Sequence, residues 1–220
     1  MSTFPRTPRN RVSRLPDRAS YDREAIYPIV DEALVCHVGF VQHGQPYVIP
    51  TLHARDGDAI LLHGSAGSRL LRHLGAGHPA SIAFTLLDGI VLARSVFHHS
   101  VNYRSAVLFG RGAAVEGEAE RLRALERIAE RLAPGRWSDA RGPSARELAA
   151  TGVVRVEIET ASAKVRSGPP KDDQDDLALP VWAGTLPLAL AFGEPQPDPA
   201  LQAGIALPGY VRDRIGRRDG

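Results

Sequence analysis

The stretch from Ala59 to Leu74 constrains the fold of this chain most strongly, because it joins a strand to a helix through a glycine turn. The apolar run from Ile60 to Leu62 predicts a strand, and the small residues from His63 to Gly67 predict a tight turn. Ser68 then stands at the N-cap position of a helix whose leucines recur at helical spacing. Such a junction leaves backbone amides unpaired, so it predicts a phosphate or other anion site. The alternative is an ordinary capped helix whose Arg69 is solvated.

Short apolar segments separated by turn residues surround this junction. The predicted strands are Leu34–Val41, Gln45–Ala54, Ala59–His63, Ala80–Leu87, Ile90–Val96, Val101–Val115 and Val153–Ile158. The predicted helices are Tyr21–Glu32, Ser68–Gly75, Gly117–Leu132 and Ser144–Ala150. Many short strands with helices at the periphery predict a mainly β fold, built as a small antiparallel barrel.

The ends of the chain differ in composition from its middle. Residues 1–13 are rich in arginine and proline, which predicts a flexible basic arm. Residues 14–190 contain every predicted strand and no linker, so we interpret them as one barrel domain. Residues 191–220 are rich in proline, glycine and charged residues and predict an irregular tail.

Charge and hydropathy exclude several classes of function. The formal net charge of +2 gives no argument for a nucleic-acid partner. No apolar run is long enough to span a membrane and no hydrophobic signal segment is recognisable, so we expect a cytoplasmic protein with no membrane partner. Cys36 is the only cysteine, which excludes an internal disulfide, and its apolar surroundings predict a buried, unreactive thiol.

The candidate catalytic groups are sparse. Eight histidines are scattered along the chain, but none forms a ligand pair on one helix and no acidic residue recurs at ligand spacing. We therefore predict no metal-ion site, although a histidine that ligates haem iron stays open. No nucleophile motif is present either. The chemistry is left to a bound organic cofactor.

Three motifs occur in a fixed order: Tyr47–Thr51 (Tyr-Val-Ile-Pro-Thr), His63–Arg69 (His-Gly-Ser-Ala-Gly-Ser-Arg) and Ser100–Ser105 (Ser-Val-Asn-Tyr-Arg-Ser). Together they resemble the flavin-binding split-barrel family related to pyridoxamine 5'-phosphate oxidase. The branch that is most similar contains nitroimidazole-resistance reductases and flavin-nucleotide-binding proteins. The resemblance covers the chain from Arg14 to Leu190 and implies a split β-barrel of the FMN-binding type.

The resemblance also implies a cofactor site. FMN is the expected flavin, with FAD as a second possibility and haem less favoured. The strand whose backbone edges the isoalloxazine ring comprises Tyr47, Val48, Ile49, Pro50 and Thr51. The residues expected to hold the phosphate are His63, Ser65, Ser68 and Arg69. The residues expected to close the site across a homodimer interface are Asn102, Tyr103, Arg104 and Ser105.

The function implied is an FMN-binding oxidoreductase that transfers hydride or electrons to or from a small organic substrate. The alternative is a non-catalytic protein that binds or senses flavin or haem. Oxidation of pyridoxamine phosphate is not expected, because the first cofactor strand lacks further basic residues and no histidine follows Gly110. A monomer would expose the apolar segments Val107–Phe109 and Ile90–Leu92, which favours burial between two subunits.

Overall fold

The computed structural model describes residues 2–216 together with the backbone of residues 218 and 219. The main sheet contains nine strands: β1 (Ala19–Ser20), β2 (Val35–Gln42), β3 (Gln45–Leu52), β4 (Ala54–Asp56), β5 (Ala59–Ser65), β6 (Pro79–Leu92), β7 (Ser100–Ala114), β8 (Thr151–Arg166) and β9 (Gly184–Pro187). A second, two-stranded sheet pairs β10 (Leu190–Ala191) with β11 (Arg218–Asp219). The helices are α1 (Arg23–Glu32), α2 (Arg69–Gly75), α3 (Glu118–Leu132), α4 (Arg136–Asp139), α5 (Ala145–Ala150) and α6 (Gly209–Arg212).

The main sheet is antiparallel throughout and its strand order is β3-β2-β6-β7-β8-β5-β4, with β1 paired to β8 and β9 paired to β6. The two ends of this path, β3 and β4, do not pair with each other in the part of the chain that the structure describes. The curled sheet is therefore split along that line, which confirms the predicted split barrel. Pro46 and Pro50 lie on β3, as expected for an edge strand, because proline cannot donate to a ladder.

Strand β5 separates two apolar clusters. Leu62 is fully buried in the barrel interior with side chains such as Phe84 and Leu108. Leu61 points to the other side of the strand and joins a smaller cluster that includes Ile128 of α3. Successive side chains of a strand alternate between its faces. The alternation therefore turns His63 toward α3 rather than into the barrel.

The structure corrects two predicted strands. Ala80–Leu87 and Ile90–Val96 are not two separate strands. They lie mostly within the single strand β6, which pairs with β7 and is irregular between Leu87 and Gly89. Val96 instead begins a short 3-10 helix. Glycine at position 89 leaves room for β9, which pairs with β6 there, since a Cβ would lie 3.0 Å from the Leu186 carbonyl oxygen.

The described part of the predicted N-terminal arm packs against β8. Phe4 is 1% exposed and belongs to the main core. The Asn10 side chain donates a hydrogen bond of 2.9 Å to the carbonyl oxygen of Ala161. Arg9 donates a 2.7 Å hydrogen bond to Glu159. This segment therefore covers part of the sheet in the structure.

The apolar segments Val107–Phe109 and Ile90–Leu92 are buried only in part. Leu108 and Val91 are buried inside the chain, at 1% and 0% exposure, whereas Val107, Phe109 and Leu92 are half-buried. Ile90 pairs with Leu186 of β9 but keeps 37% of its surface exposed, so burial of these segments between two subunits stays a prediction. The predicted strand Val153–Ile158 is longer than expected and extends over the whole of β8.

Candidate functional site

The edge strand β3 and the start of α2 meet at the surface, and two predicted cofactor residues touch there. The guanidinium carbon of Arg69 lies 4.3 Å from the centroid of the Tyr47 ring, a cation–π contact. The Tyr47 ring in turn stacks on Phe40, with centroids 5.3 Å apart. The first two sequence motifs are therefore brought together within one chain.

The turn before α2 uses part of its hydrogen-bonding capacity internally. The Ser68 hydroxyl oxygen accepts a 3.1 Å hydrogen bond from the amide of Leu71, which confirms the predicted N-cap. The Ser68 amide donates to the Ser65 carbonyl oxygen and the Ala66 amide donates to Ala150. These two amides are not available to an anion. The sequence predicted an anion site built on unpaired backbone amides, whereas the structure leaves the side chains of the turn as its main donors.

Arg69 keeps its charge free for an anion. It is exposed, and no carboxylate within residues 2–216 forms an ion pair with it. The exposed hydroxyl of Ser65 lies on the same turn. An unpaired guanidinium beside a hydroxyl can hold a phosphate by charge-assisted hydrogen bonds.

The backbone of β3 is open on one side. Its inner face holds Tyr47 and Ile49 against the main core, whereas Val48 is 67% exposed on the outer face. In an antiparallel pair, alternate residues direct both backbone groups away from the neighbouring strand. Pro50 lacks an amide hydrogen and therefore fits a position whose backbone groups point away from β2. Residues two apart on a strand have the same orientation, so the amide of Val48 also faces the open edge. The Thr51 hydroxyl donates a 3.3 Å hydrogen bond to the Leu52 carbonyl oxygen.

His63 faces a cavity of about 420 Å³ at the split of the barrel, between β5 and the helices α3 to α5. The wall is largely apolar and is formed by residues that include Leu52, Leu125, Ile128, Leu132 and Trp137. The Nδ1 atom of His63 is buried and has no hydrogen-bond partner among the described residues. Burial lowers the pKa of His63 below its usual value, so the ring is neutral near pH 7.

The third motif lies at the other end of the sheet. His63 pairs with Val153 near the start of β8, whereas Tyr103 pairs with Arg166 at its end. A strand of 16 residues such as β8 spans roughly 50 Å. Within one chain, residues 102–105 are therefore far from the contact between Tyr47 and Arg69.

Two side chains of the third motif, Asn102 and Ser105, make internal hydrogen bonds. The Asn102 amide donates a 3.1 Å hydrogen bond to the Gly168 carbonyl oxygen and accepts one from Arg166. The Ser105 hydroxyl donates to the Lys164 carbonyl oxygen at 3.1 Å. Tyr103 is half-buried and lines a separate pocket. The cofactor roles expected for this motif stay predictions.

Arg104 forms ion pairs with two acidic residues. It pairs with Glu32 of α1, and its Nη2 lies 2.8 Å from Asp88 of β6. Hydrogen bonds to Glu32 and then to Asp88 raise the pKa of Arg104 above its usual value. This side chain ties α1 to the sheet, and its charge is already compensated within the chain.

Cys36 is fully buried, and burial raises the pKa of its thiol to about 12, so it is unreactive as predicted. No cluster of three or more metal-ligating side chains occurs among the described residues. In the same residues, the helices are too short or too polar to cross a membrane.

The family model described as pyridoxamine 5'-phosphate oxidase matches residues 22–165, more than half of the chain. The chain therefore belongs to this flavin-binding family. No curated protein matches the chain.

Solved structures extend the comparison over nearly the whole chain. The flavocytochrome Anf3 from Azotobacter vinelandii is 37% identical, with a TM-score of 0.89 over 96% of this chain and 98% of that chain. The FAD and heme binding protein from Mycobacterium smegmatis is also 37% identical, with a TM-score of 0.87 over 92% and 98%. A protein from Bacteroides thetaiotaomicron described as a 5-nitroimidazole antibiotic resistance protein is 24% identical, with a TM-score of 0.55 over 67% and 86%, and supports the fold alone.

Proposed function

We propose that this protein is a flavin-dependent oxidoreductase that binds FMN or FAD between two subunits and carries a haem in the cavity beside His63. The observation that carries the flavin part is the contact between Tyr47 and Arg69, where an uncompensated arginine lies beside the open edge of β3. The two relatives with 37% identity support both cofactors, since one is described as a flavocytochrome and the other as an FAD and heme binding protein.

The flavin would be held by two different kinds of contact. Arg69 and the Ser65 hydroxyl would bind the phosphate, and the outward amide of Val48 would donate to the ring edge. The exposed side chain of Val48 and the Tyr47 ring provide apolar surface beside this edge. When bound, the flavin supplies hydride or one-electron transfer, and the chain orients it and limits access by water.

The homodimer is part of the proposal because one chain holds only part of the predicted site. The third motif and the Arg69 turn stand near opposite ends of the long strand β8. A two-fold axis would bring the third motif of one subunit to the Arg69 turn of the other. Exposed apolar side chains such as Val41 and Val48, at 59% and 67%, lie on the hairpin of β2 and β3 and favour such an interface.

The cavity beside His63 fits a haem in three respects. Its imidazole is neutral near pH 7, as an iron ligand requires, and its buried Nδ1 is not held by a hydrogen bond to the described chain. The wall is largely apolar, as a porphyrin face requires, and the charge of Arg141 in the lining is already paired with that of Glu147. His53 is the other histidine with an unpartnered buried nitrogen, but its Nε2 is bonded to the Val30 carbonyl oxygen at 2.9 Å. A haem would supply one-electron chemistry in addition to that of the flavin.

A reductive titration tests whether the protein turns over or only binds. We expect NADH, NADPH or a chemical reductant to bleach the flavin absorption of the purified protein under anaerobic conditions. We also expect an added electron acceptor to restore that absorption over repeated cycles. A flavin that binds but shows no repeated reduction and reoxidation would contradict the oxidoreductase and favour a binding or sensing protein.

A further inference from the structure

A pocket at the end of β7 and β8 has a strongly positive lining, and none of its cationic side chains is part of the proposed flavin or haem contacts. It has a volume of about 490 Å³. Five cationic side chains line it: Arg14, Arg18, Lys164, Arg166 and Lys171. No carboxylate side chain is part of this lining in the described chain. These like charges repel one another, and an anion bound between them would offset that repulsion.

Arg166 gives a second, independent sign of a missing anion. It is only 7% exposed, yet no carboxylate within residues 2–216 forms an ion pair with it. Its guanidinium bonds instead to the neutral side chain of Asn102 and, at 3.4 Å, to the carbonyl oxygen of Pro169. A buried charge without a counter-charge is costly, because burial removes water and neutral partners compensate it incompletely.

The acidic residues near the pocket pair with none of its five arginine and lysine side chains, although one of their partners, His98, also lines the pocket. Asp172 forms an ion pair with Arg94 at 2.8 Å, and Asp173 lies 3.1 Å from the Nε2 atom of His98. The ammonium group of Lys164 donates to the carbonyl oxygen of Arg14 at 2.9 Å, which leaves its charge uncompensated. Arg14 and Lys171 are exposed, whereas Arg18 and Lys164 are half-buried and Arg166 is buried, so part of the positive charge is held within the fold.

The other lining residues indicate which anion would fit. Phe97 is 88% exposed at the pocket and its ring contacts His98 with centroids 5.1 Å apart, so it offers a stacking surface for a planar group. Tyr103 adds a hydroxyl to the lining. Several cations beside an aromatic platform match a nucleotide that carries more than one phosphate.

We infer that this pocket binds the diphosphate of a nucleotide, with Arg18, Lys164 and Arg166 as the principal cationic contacts. The diphosphate has two chemical sources: the dinucleotide half of an FAD, or a separate nucleoside diphosphate group of a second ligand. The inference rests on the charge and burial of this pocket and does not require the flavin site.

Calorimetric titration of the purified full-length protein with ADP, pyrophosphate and adenosine tests the inference. We expect ADP and pyrophosphate to bind, with an affinity that falls as salt is raised, and adenosine to bind at least about tenfold more weakly. The double variant Arg18→Gln/Lys164→Gln is expected to lose at least about tenfold in ADP affinity. Arg166 is left in place because its bonds contribute to the fold.

The matched control is Arg123→Gln, which removes one exposed cation on α3 outside the pocket. ADP affinity should be unchanged in it. The inference is overturned if neither ADP nor pyrophosphate binds, if adenosine binds as well as ADP, or if the double variant behaves like the control.

The source of the diphosphate follows from the flavin state of the protein. If it belongs to FAD, ADP binds the flavin-free protein but not the FAD-loaded protein, and the double variant loses the preference for FAD over FMN. If it belongs to a second ligand, ADP also binds the flavin-loaded protein. Flavin binding is followed separately by visible absorption, so failure of the proposed flavin site is distinguishable from failure of this pocket.

Discussion

Arg69, the first residue of α2, lies over the Tyr47 ring of the edge strand β3, with its guanidinium carbon 4.3 Å from the ring centroid. The contact fixes the position of a charge that no carboxylate of the described chain compensates. It also joins two segments that are more than twenty residues apart in sequence. This pair is the basis of the proposed flavin phosphate site.

Replacement of Arg69 by alanine should weaken flavin binding by about 1.5–3 kcal/mol, the usual range for a hydrogen bond to a charged group. Fluorescence titration with FMN and FAD measures the affinity, and circular dichroism checks that the fold is intact. The matched control is Arg72→Ala, which removes an exposed arginine of the same helix and should leave the affinity unchanged. Equal affinity in the wild type and Arg69→Ala would contradict the proposed phosphate site.

Replacement of His63 by leucine should abolish haem binding and leave flavin binding intact. The substitution keeps an apolar side chain of similar size in the cavity but removes the nitrogen that would ligate iron. Titration with hemin, followed by the Soret band, measures the effect. His78→Ala is the control, because His78 is an exposed histidine outside the cavity. A Soret band of wild-type position and intensity in His63→Leu would exclude His63 as the ligand.

The same histidine predicts a pH dependence of stability in the cofactor-free protein. Burial lowers the pKa values of His63 and His53 in the folded state. The unfolded chain therefore binds more protons as pH falls below about 6.5, and the free energy of unfolding decreases. Each histidine contributes at most about 1.4 kcal/mol per pH unit. Urea titrations between about pH 7.5 and about pH 5.5, roughly one unit either side of the usual histidine pKa, should show a smaller decrease in the free energy of unfolding for His63→Leu. An unchanged pH dependence in that variant would contradict a neutral, buried His63.

Replacement of Gly110 by alanine should destabilise the barrel. A Cβ at this position would meet the carbonyl oxygen of Glu157 on β8, at the irregularity after Phe109. The strands would have to separate, at a cost of about 1–3 kcal/mol or more. Thermal unfolding measures the loss. Gly193→Ala is the control, because nothing lies within 4 Å of its Cβ position. Identical stability of the two variants would contradict the close approach of β7 and β8.

Local patterns in the sequence predicted the parts of the fold that depend on neighbouring residues. The turn around His43-Gly44 joins β2 and β3 as expected, and Ser68 and Ser144 cap the helices that they precede. In each case the signal is a turn residue or a capping residue followed by apolar residues of the right period. Such signals act within a few residues and need no tertiary contact.

The strand errors arose where distant segments decide the structure. β6 continues through Asp88-Gly89 because β7 pairs along it and β9 approaches at Gly89. β8 continues beyond Ile158 although polar residues follow, and Thr160 and Ser162 are buried at 5% and 6% exposure. The N-terminal segment explains part of this burial, since Asn10 bonds to the backbone of Ala161 there. No local periodicity contains that information.

The candidate site was predictable in its residues but only in part in its arrangement. The first two motifs meet at Tyr47 and Arg69, whereas the third lies toward the other end of β8. Because side chains alternate along a strand, the sequence could predict that His63 and Leu62 lie on opposite faces of β5. It could not predict the cavity at His63, because that cavity forms only when α3 to α5 pack over β5. The charge of Arg104 is compensated by Glu32 and Asp88, and these ion pairs could not be predicted because the three residues are distant in sequence.

The visible absorption spectrum of the protein purified without added cofactor tests the central claim most directly. The account predicts flavin absorption together with a Soret band, and mass spectrometry of the released ligands should identify FMN or FAD and haem. If neither cofactor is present, addition of FMN, FAD and hemin to the purified protein should restore both signals. A protein that lacks both bands and whose spectrum is unchanged by all three additions would contradict the account.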